Sequence, residues 1–196
     1  MTSHASTLLY PPPRRITWSH LLLRCWQPED APLLLDALSA SVAELNRWTP
    51  WVLAEPLDLE AAERRVTQQR TQFESGPAWV YGIFGADGRV LGSIGLFERI
   101  GPCALEIGYW IRSDAAGRGH ATAAAALVRD VAFDVCGVDR VEIRCDPDNA
   151  PSNAIPRRLG FESGGEVVLT EGLRPGESGR LVVWHQDRAR RARSSG

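Results

Sequence analysis

The sequence predicts an α/β fold: a mixed, mostly antiparallel sheet of six to seven strands with about four helices. Three observations carry that expectation. Helical patterns dominate residues 28–73, the hydrophobic period then switches to strict alternation after Gly76-Pro77, and an alanine-rich helix separates the strand-like segments "CALEIGYWI" and "RVEIRC". Two parallel strands can be joined only by a crossover, and that helix supplies one, so an antiparallel meander ends in a β-α-β unit.

Each element has its own reason. The prolines of "YPPPRR" make residues 1–18 a non-helical leader, and "HLLLRCW" is the first strand. "PEDAPLLLDALSASVAELNRW" has leucines at helical spacing behind a proline and two acids that suit a first turn, so it reads as one helix. "DLEAAERRVTQQRTQF" is a second, strongly polar helix. "WVYGIFG" and "VLGSIGLFERI" flank Asp87-Gly88, a hairpin turn signal, and "CALEIGYWI" completes the meander. A helix then runs from near Gly117 to its stop at Gly137, with Ala121, Ala124, Leu127, Val128, Val131 and Val135 on one side. "RVEIRC", the short helix "APSNAIPRRLG", "FESGGEVVL" and "RLVVWHQD" finish the domain, assigned to residues 19–187, and residues 188–196 form a basic disordered tail.

Composition bounds the function. With 196 residues, 44% hydrophobic and 23% charged, the chain is one soluble globular domain. A net charge of −2 creates no basic field, so nucleic acid is not an expected partner, and no apolar run is long enough to span a bilayer. Every one of the 22 basic residues is Arg. The four cysteines form no C-x-x-C pair and do not cluster with the histidines, so no metal site is expected; reduced thiols and a cytoplasmic location are.

The segment "IRSDAAGRGHATAAAALVRD" carries the functional signal. Glycines at a helix start bring backbone close to a ligand, and the first N–H groups of a helix favour an anion, so the expected ligand is a phosphate. A P-loop needs Lys after its second glycine, and the chain has none. The dinucleotide fingerprint fails at Thr122, where Gly or Ala is required, although Glu142 imitates its ribose acid. The remaining pattern is a loop for the diphosphate of coenzyme A.

On "GRGHAT", and on "EIGYWIRSDAAGRGHATAAAALV", "RVEIRCDPDNAPSN" and "RRLGF" in that order, the chain resembles the GNAT superfamily of N-acetyltransferases, roughly over residues 78–170. "ELNRWTPW" further resembles its RimJ/RimL-like branch, which acetylates ribosomal-protein N-termini and small amines. The resemblance implies a GNAT fold with splayed central strands and acetyl-CoA as co-substrate. It implies diphosphate contacts from the backbone of Gly117, Arg118, Gly119, His120, Ala121 and Thr122, and main-chain contacts from Trp110 and Ile111 to the pantetheine arm. It also carries N-x-x-S onto Asn149, as a contact to that arm, and onto Ser152, as a contact near sulfur and a candidate general acid.

Several positions keep a second reading. Asn149 and Ser152 are equally suited to capping a short helix. Glu106 and Glu171 are the candidate bases, and each could be a surface ion pair. Arg118 could reach an outer phosphate or stay solvated. The His120 ring should face solvent, His185 reads as a structural histidine, and Trp48 and Trp51 either wall an acceptor pocket or seal the core edge. Two departures from the family stand out: Asp114 replaces its Gln or Arg, and Pro156 occupies the place of a catalytic Tyr. The expected activity is acetyl transfer from acetyl-CoA to a primary amine, on a protein N-terminus or a small molecule, by direct attack in a ternary complex. The alternatives are a non-catalytic acyl-CoA-binding module or an enzyme for longer acyl groups. A homodimer is one expectation for its assembly.

Overall fold

The computed structural model describes residues 8–49, 56–169, 178–189 and 191. Its described residues build one sheet of eight strands: β1 (Arg15–Trp18), β2 (Leu21–Cys25), β3 (Ala78–Phe84), β4 (Val90–Phe97), β5 (Ala104–Ile111), β6 (Arg140–Cys145), β7 (Glu162–Val168) and β8 (Arg180–Asp187). The spatial order is β1-β2-β3-β4-β5-β6-β8-β7, antiparallel throughout except for β5 and β6. Five α-helices among the described residues accompany it: α1 (Ala31–Ser39), α2 (Val42–Trp48), α3 (Leu59–Ser75), α4 (His120–Asp134) and α5 (Ala150–Arg158).

The class agrees with the sequence reading and the counts correct it. An eighth strand appears because β1 forms a hairpin with β2 inside the segment read as a leader. A fifth helix appears because the first predicted helix breaks after Ser39. There the Ser41 hydroxyl is buried, donates to Ala37 O at 2.7 Å and accepts from the Ser113 N–H at 3.1 Å. A serine hydroxyl bonded back to the preceding turn competes with helix continuation. The start of the basic C-terminal segment is docked: Arg188 donates to Val138 O at 3.0 Å and to Phe133 O, and Arg191 pairs with Asp134 at 2.7 Å.

Local chemistry fixes the other elements. Asp58 caps α3 by accepting from Ala61 N at 2.8 Å, and Ala61, Ala62, Val66 and Phe73 form its buried stripe. Gly88, at φ 79°, turns the β3–β4 hairpin, and the Asp87 carboxylate accepts from Arg89 N at 3.1 Å. Two cores result. One packs Ala124, Ala125, Val128, Ala132 and Phe133 of α4 and Ile155 of α5 against Leu105, Ile107, Val141 and Ile143; the other packs α1, α2 and α3 around Trp26, Val80 and Phe84.

The sheet is split at its centre. β5 and β6 pair only from Ala104↔Arg140 to Ile107↔Ile143. Beyond that point β5 stays with β4 as far as Ile111, and β6 stays with β8 as far as Cys145. The two strands therefore diverge, each held by its outer neighbour, and the diverging edges leave a gap that opens toward the glycine loop.

Candidate active site

The loop follows β5 directly. A 3-10 turn at Ser113–Ala115 leads to Gly117 at φ 75° and Gly119 at φ 82°, where α4 begins. These left-handed conformations favour glycine. A Cβ at either position would meet nothing within 4 Å, so the glycines serve the backbone angle and leave the face of the loop open. Among the described residues, the N–H groups of residues 117–122 find no hydrogen-bond acceptor, and Gly117, Arg118 and Gly119 are exposed. Six donors left over at the start of a 15-residue helix form an anion cradle, which fits a diphosphate.

Side chains brace this loop from beneath. Arg112 is buried; it donates to Asp114 at 2.8 Å and to Asp36 of α1, while Arg89 donates to Asp114 at 3.1 Å. Hydrogen bonds from Arg112, then from Arg89, hold the Asp114 carboxyl below its ordinary value. Asp114, which departs from the family's Gln or Arg, is thus part of the brace. The His120 ring is half-buried against His20, with centroids 5.6 Å apart, rather than facing solvent alone. Burial lowers its pKa, and the nearby His20 and Arg118 lower it further.

The gap between β5 and β6 has a distinct lining. The Arg112 N–H donates across to Leu91 O at 2.8 Å, so by alternation the main-chain groups of Tyr109 and Ile111 face the gap, whereas those of Trp110 face β4. Ile111 therefore turns its main-chain groups toward the gap. Trp110 offers the gap no main-chain group; its half-buried ring packs toward the α1–α3 core. Tyr109, which sequence reasoning missed, turns its main-chain groups toward the gap instead.

At the far wall, α5 begins with Asn149, whose side chain accepts from Ser152 N at 3.1 Å. The capping reading of Asn149 is realised. Asn153 pins the same turn: it is buried, donates to Asp146 O at 2.8 Å and to Asn149 O at 2.9 Å, and accepts from Trp184 Nε1 at 2.8 Å. The Ser152 hydroxyl lies 3.2 Å from the Tyr109 hydroxyl and 3.1 Å from the Cys145 thiol. It sits between the diverging ends of β5 and β6. Burial pushes the Tyr109 phenol well above its ordinary range and the Cys145 thiol up to about 11, so both groups keep their protons at neutral pH.

Glu106 lies on the opposite face of β5 from Tyr109. Both of its buried carboxylate oxygens accept from Arg99, at 2.9 and 2.5 Å, and its register partner Glu142 is held by Arg140 at 2.8 Å and Arg144 at 2.9 Å. His185 stands opposite Glu142 on β8; its Nδ1 is 3.6 Å from Asp187 and, among the described residues, makes no hydrogen bond. Trp48 is half-buried under Arg47, whose guanidinium lies 4.5 Å from the ring centre. Glu171 and Trp51 lie outside the described residues. No His, Cys, Asp or Glu cluster suited to a metal ion exists among the described residues, and no described helix is long and apolar enough to cross a membrane.

A family model described as an acetyltransferase (GNAT) domain matches residues 20–162, which include the glycine loop, the split sheet and the Ser152 turn. The chain belongs to the GNAT acetyltransferases. It is accordingly an acyl-CoA-dependent enzyme with acetyl-CoA as its co-substrate. It is 29% identical over 151 residues to a Bacillus subtilis (strain 168) protein named "Putative ribosomal N-acetyltransferase YdaF", covering 76% of this chain and 81% of that one. Its fold is that of the microcin C7 self-immunity acetyltransferase MccE in complex with acetyl-CoA and AMP, with a TM-score of 0.80 at 18% identity over 91% of this chain and 99% of that one. It is likewise similar to Mycobacterium smegmatis RimJ in complex with a CoA disulfide, with a TM-score of 0.76 at 22% identity over 87% and 83% of the two chains. YdaF and RimJ are of the RimJ/RimL type.

Proposed function

We propose that this GNAT enzyme transfers the acetyl group of acetyl-CoA to a free α-amine, by direct attack inside the split between β5 and β6. The observation that carries this reading is the continuity of the site: a six-donor cradle at residues 117–122 leads into a gap lined by Ile111 and Tyr109, which ends at the Ser152 hydroxyl. Bound acetyl-CoA supplies an activated thioester. The chain supplies position and charge. The loop amides hold the diphosphate, the gap-facing main-chain groups of Tyr109 and Ile111 align the pantetheine arm and polarise the acyl carbonyl, and the narrow gap brings the two reactants together.

Ser152 is assigned the proton donor. As the C–S bond breaks and its electron pair moves to sulfur, Ser152 gives its proton to the departing sulfur and regains one from the acceptor nitrogen through water. Proton transfer of this kind contributes about 10²–10⁴-fold in rate. An α-amine with pKa near ~8 is partly unprotonated at neutral pH, unlike a lysine near ~10.4, so the acceptor needs no strong base. This matches a site whose described carboxylate, Glu106, is already clamped by Arg99. The name of YdaF, a ribosomal N-acetyltransferase, supports a ribosomal protein as acceptor.

The deciding experiment is turnover of acetyl-CoA against short peptides with free Ser, Ala or Met N-termini, the same peptides N-blocked, and lysine amides. Acetylation of free N-termini, lost on blocking, supports the reading. Consumption of acetyl-CoA only with small amines would move the assignment to that class, and no transfer to any amine would contradict it.

A further inference from the structure

The hydroxyl of Ser152 does not stand alone, and its neighbours determine where its proton can point. Tyr109 reaches it from β5, 43 residues earlier in the chain, with its oxygen 3.2 Å from both Ser152 Oγ and Ser152 O. Cys145 reaches it from β6 at 3.1 Å. Each of these two residues lies on a strand end beyond the point where β5 and β6 part. The cluster therefore spans the gap between the diverging strand ends.

A hydroxyl carries one proton and two acceptor sites. The single phenolic proton of Tyr109 lies equally close to Ser152 O and Ser152 Oγ; where it is shared between them and Cys145 also donates to Oγ, both acceptor sites of Oγ are filled and the Ser152 proton points away from both neighbours. Burial keeps both neighbours protonated, so each has one proton to donate. The phenol is the stronger donor of the two, because a thiol donates weakly.

We propose that Tyr109 is a positioning residue for acyl transfer: its phenolic hydroxyl, together with the Cys145 thiol, saturates the Ser152 oxygen and aims the Ser152 proton at the thioester sulfur. Pro156 stands where many superfamily members place a catalytic Tyr, and here a phenol arrives at the same helix from β5 instead. It acts through Ser152 and gives up no proton of its own, since a buried phenolate would be unfavourable. The proposal rests on the acetyl-CoA reading of the site and on Ser152 as donor.

The test reads the contact to sulfur without needing the acceptor. Calorimetric titration of the full chain with CoA and with desulfo-CoA gives two affinities, whose ratio reports the sulfur interaction alone. Wild type should prefer CoA. Tyr109→Phe and Ser152→Ala should each lower that preference about tenfold, the worth of one hydrogen bond to a charged or polarised partner, with desulfo-CoA affinity unchanged and no further loss in the double variant. Thermal midpoints of all variants should stay near wild type. A Tyr109→Phe variant with an unchanged CoA preference beside a reduced one in Ser152→Ala overturns the positioning role alone. Equal weakening toward both ligands makes Tyr109 merely structural and also overturns it. No binding of either ligand by folded wild type removes the coenzyme reading itself.

Discussion

Replacing Gly119 by Ala separates what the loop needs for folding from what it needs for its ligand. Gly119 holds φ 82° and Gly88, in the β3–β4 hairpin, holds φ 79°; at neither position would a Cβ meet another atom within 4 Å. The left-handed conformation costs an L-residue roughly 1–2 kcal/mol, so both Gly→Ala variants should lose about that much stability, and by the same amount. The consequences for binding should differ. At Gly119 the open space is the ligand side of the cradle, and losing one hydrogen bond to a charged diphosphate removes about 1.5–3 kcal/mol, or about tenfold or more in affinity. At Gly88 the open space is solvent. Urea denaturation of the two variants measures the first effect, and titration with acetyl-CoA measures the second. Equal stabilities with weakened binding only in Gly119→Ala support the reasoning. If the two variants lose affinity equally, or if neither does, the loop is a turn without a ligand.

Three further outcomes follow from the same geometry. Asn153→Ala strands the buried Trp184 Nε1, while the Asp146 and Asn149 carbonyls each keep a backbone N–H donor, so it should cost about 1–3 kcal/mol by chemical denaturation, whereas a loss below about 1 kcal/mol would mean water replaces the amide. Glu106→Gln should lower the thermal midpoint by loosening the Arg99 clamp while keeping kcat within about tenfold of wild type; a loss of 10²-fold or more would make Glu106 the base. Burial pushes Cys136 up to about 12 and Cys145 up to about 11 from an ordinary 9.0, so as pH rises past 9.0 the unfolded chain loses these protons first. The folded state then holds more protons than the unfolded one, and stability should fall with rising pH over that interval. Cys136→Ala should flatten the fall in the urea midpoint, and an unchanged slope would show that other groups cause it.

Much of this site was legible in the chain because its signals are local. Asp87-Gly88, the glycine pair before α4 and the Asn149 cap each depend on backbone angles or hydrogen bonds within three or four residues. The break between α1 and α2 was not legible, because the Ser113 N–H that holds the Ser41 hydroxyl comes from 72 residues away. Nor was β1, since the polyproline leader that precedes it hides a short edge strand whose pairing with β2 starts at Arg15. Tyr109 shows the limit most clearly. "EIGYWI" reads as a strand, and strand alternation alone distinguishes residues facing one side from residues facing the other. Which strand edge lies open required the register of β5 against both neighbours, and that register turns the main-chain groups of Tyr109, not those of Trp110, toward the gap.

The most direct measurement is parallel calorimetric titration of the protein with acetyl-CoA and with NAD, repeated on Gly119→Glu, which sets a carboxylate against the cradle of residues 117–122. The account predicts binding of acetyl-CoA but not NAD by wild type, and loss of that binding in a Gly119→Glu variant that still folds. A folded wild-type protein that ignores acetyl-CoA, or a Gly119→Glu variant that binds it as tightly as wild type, would contradict it.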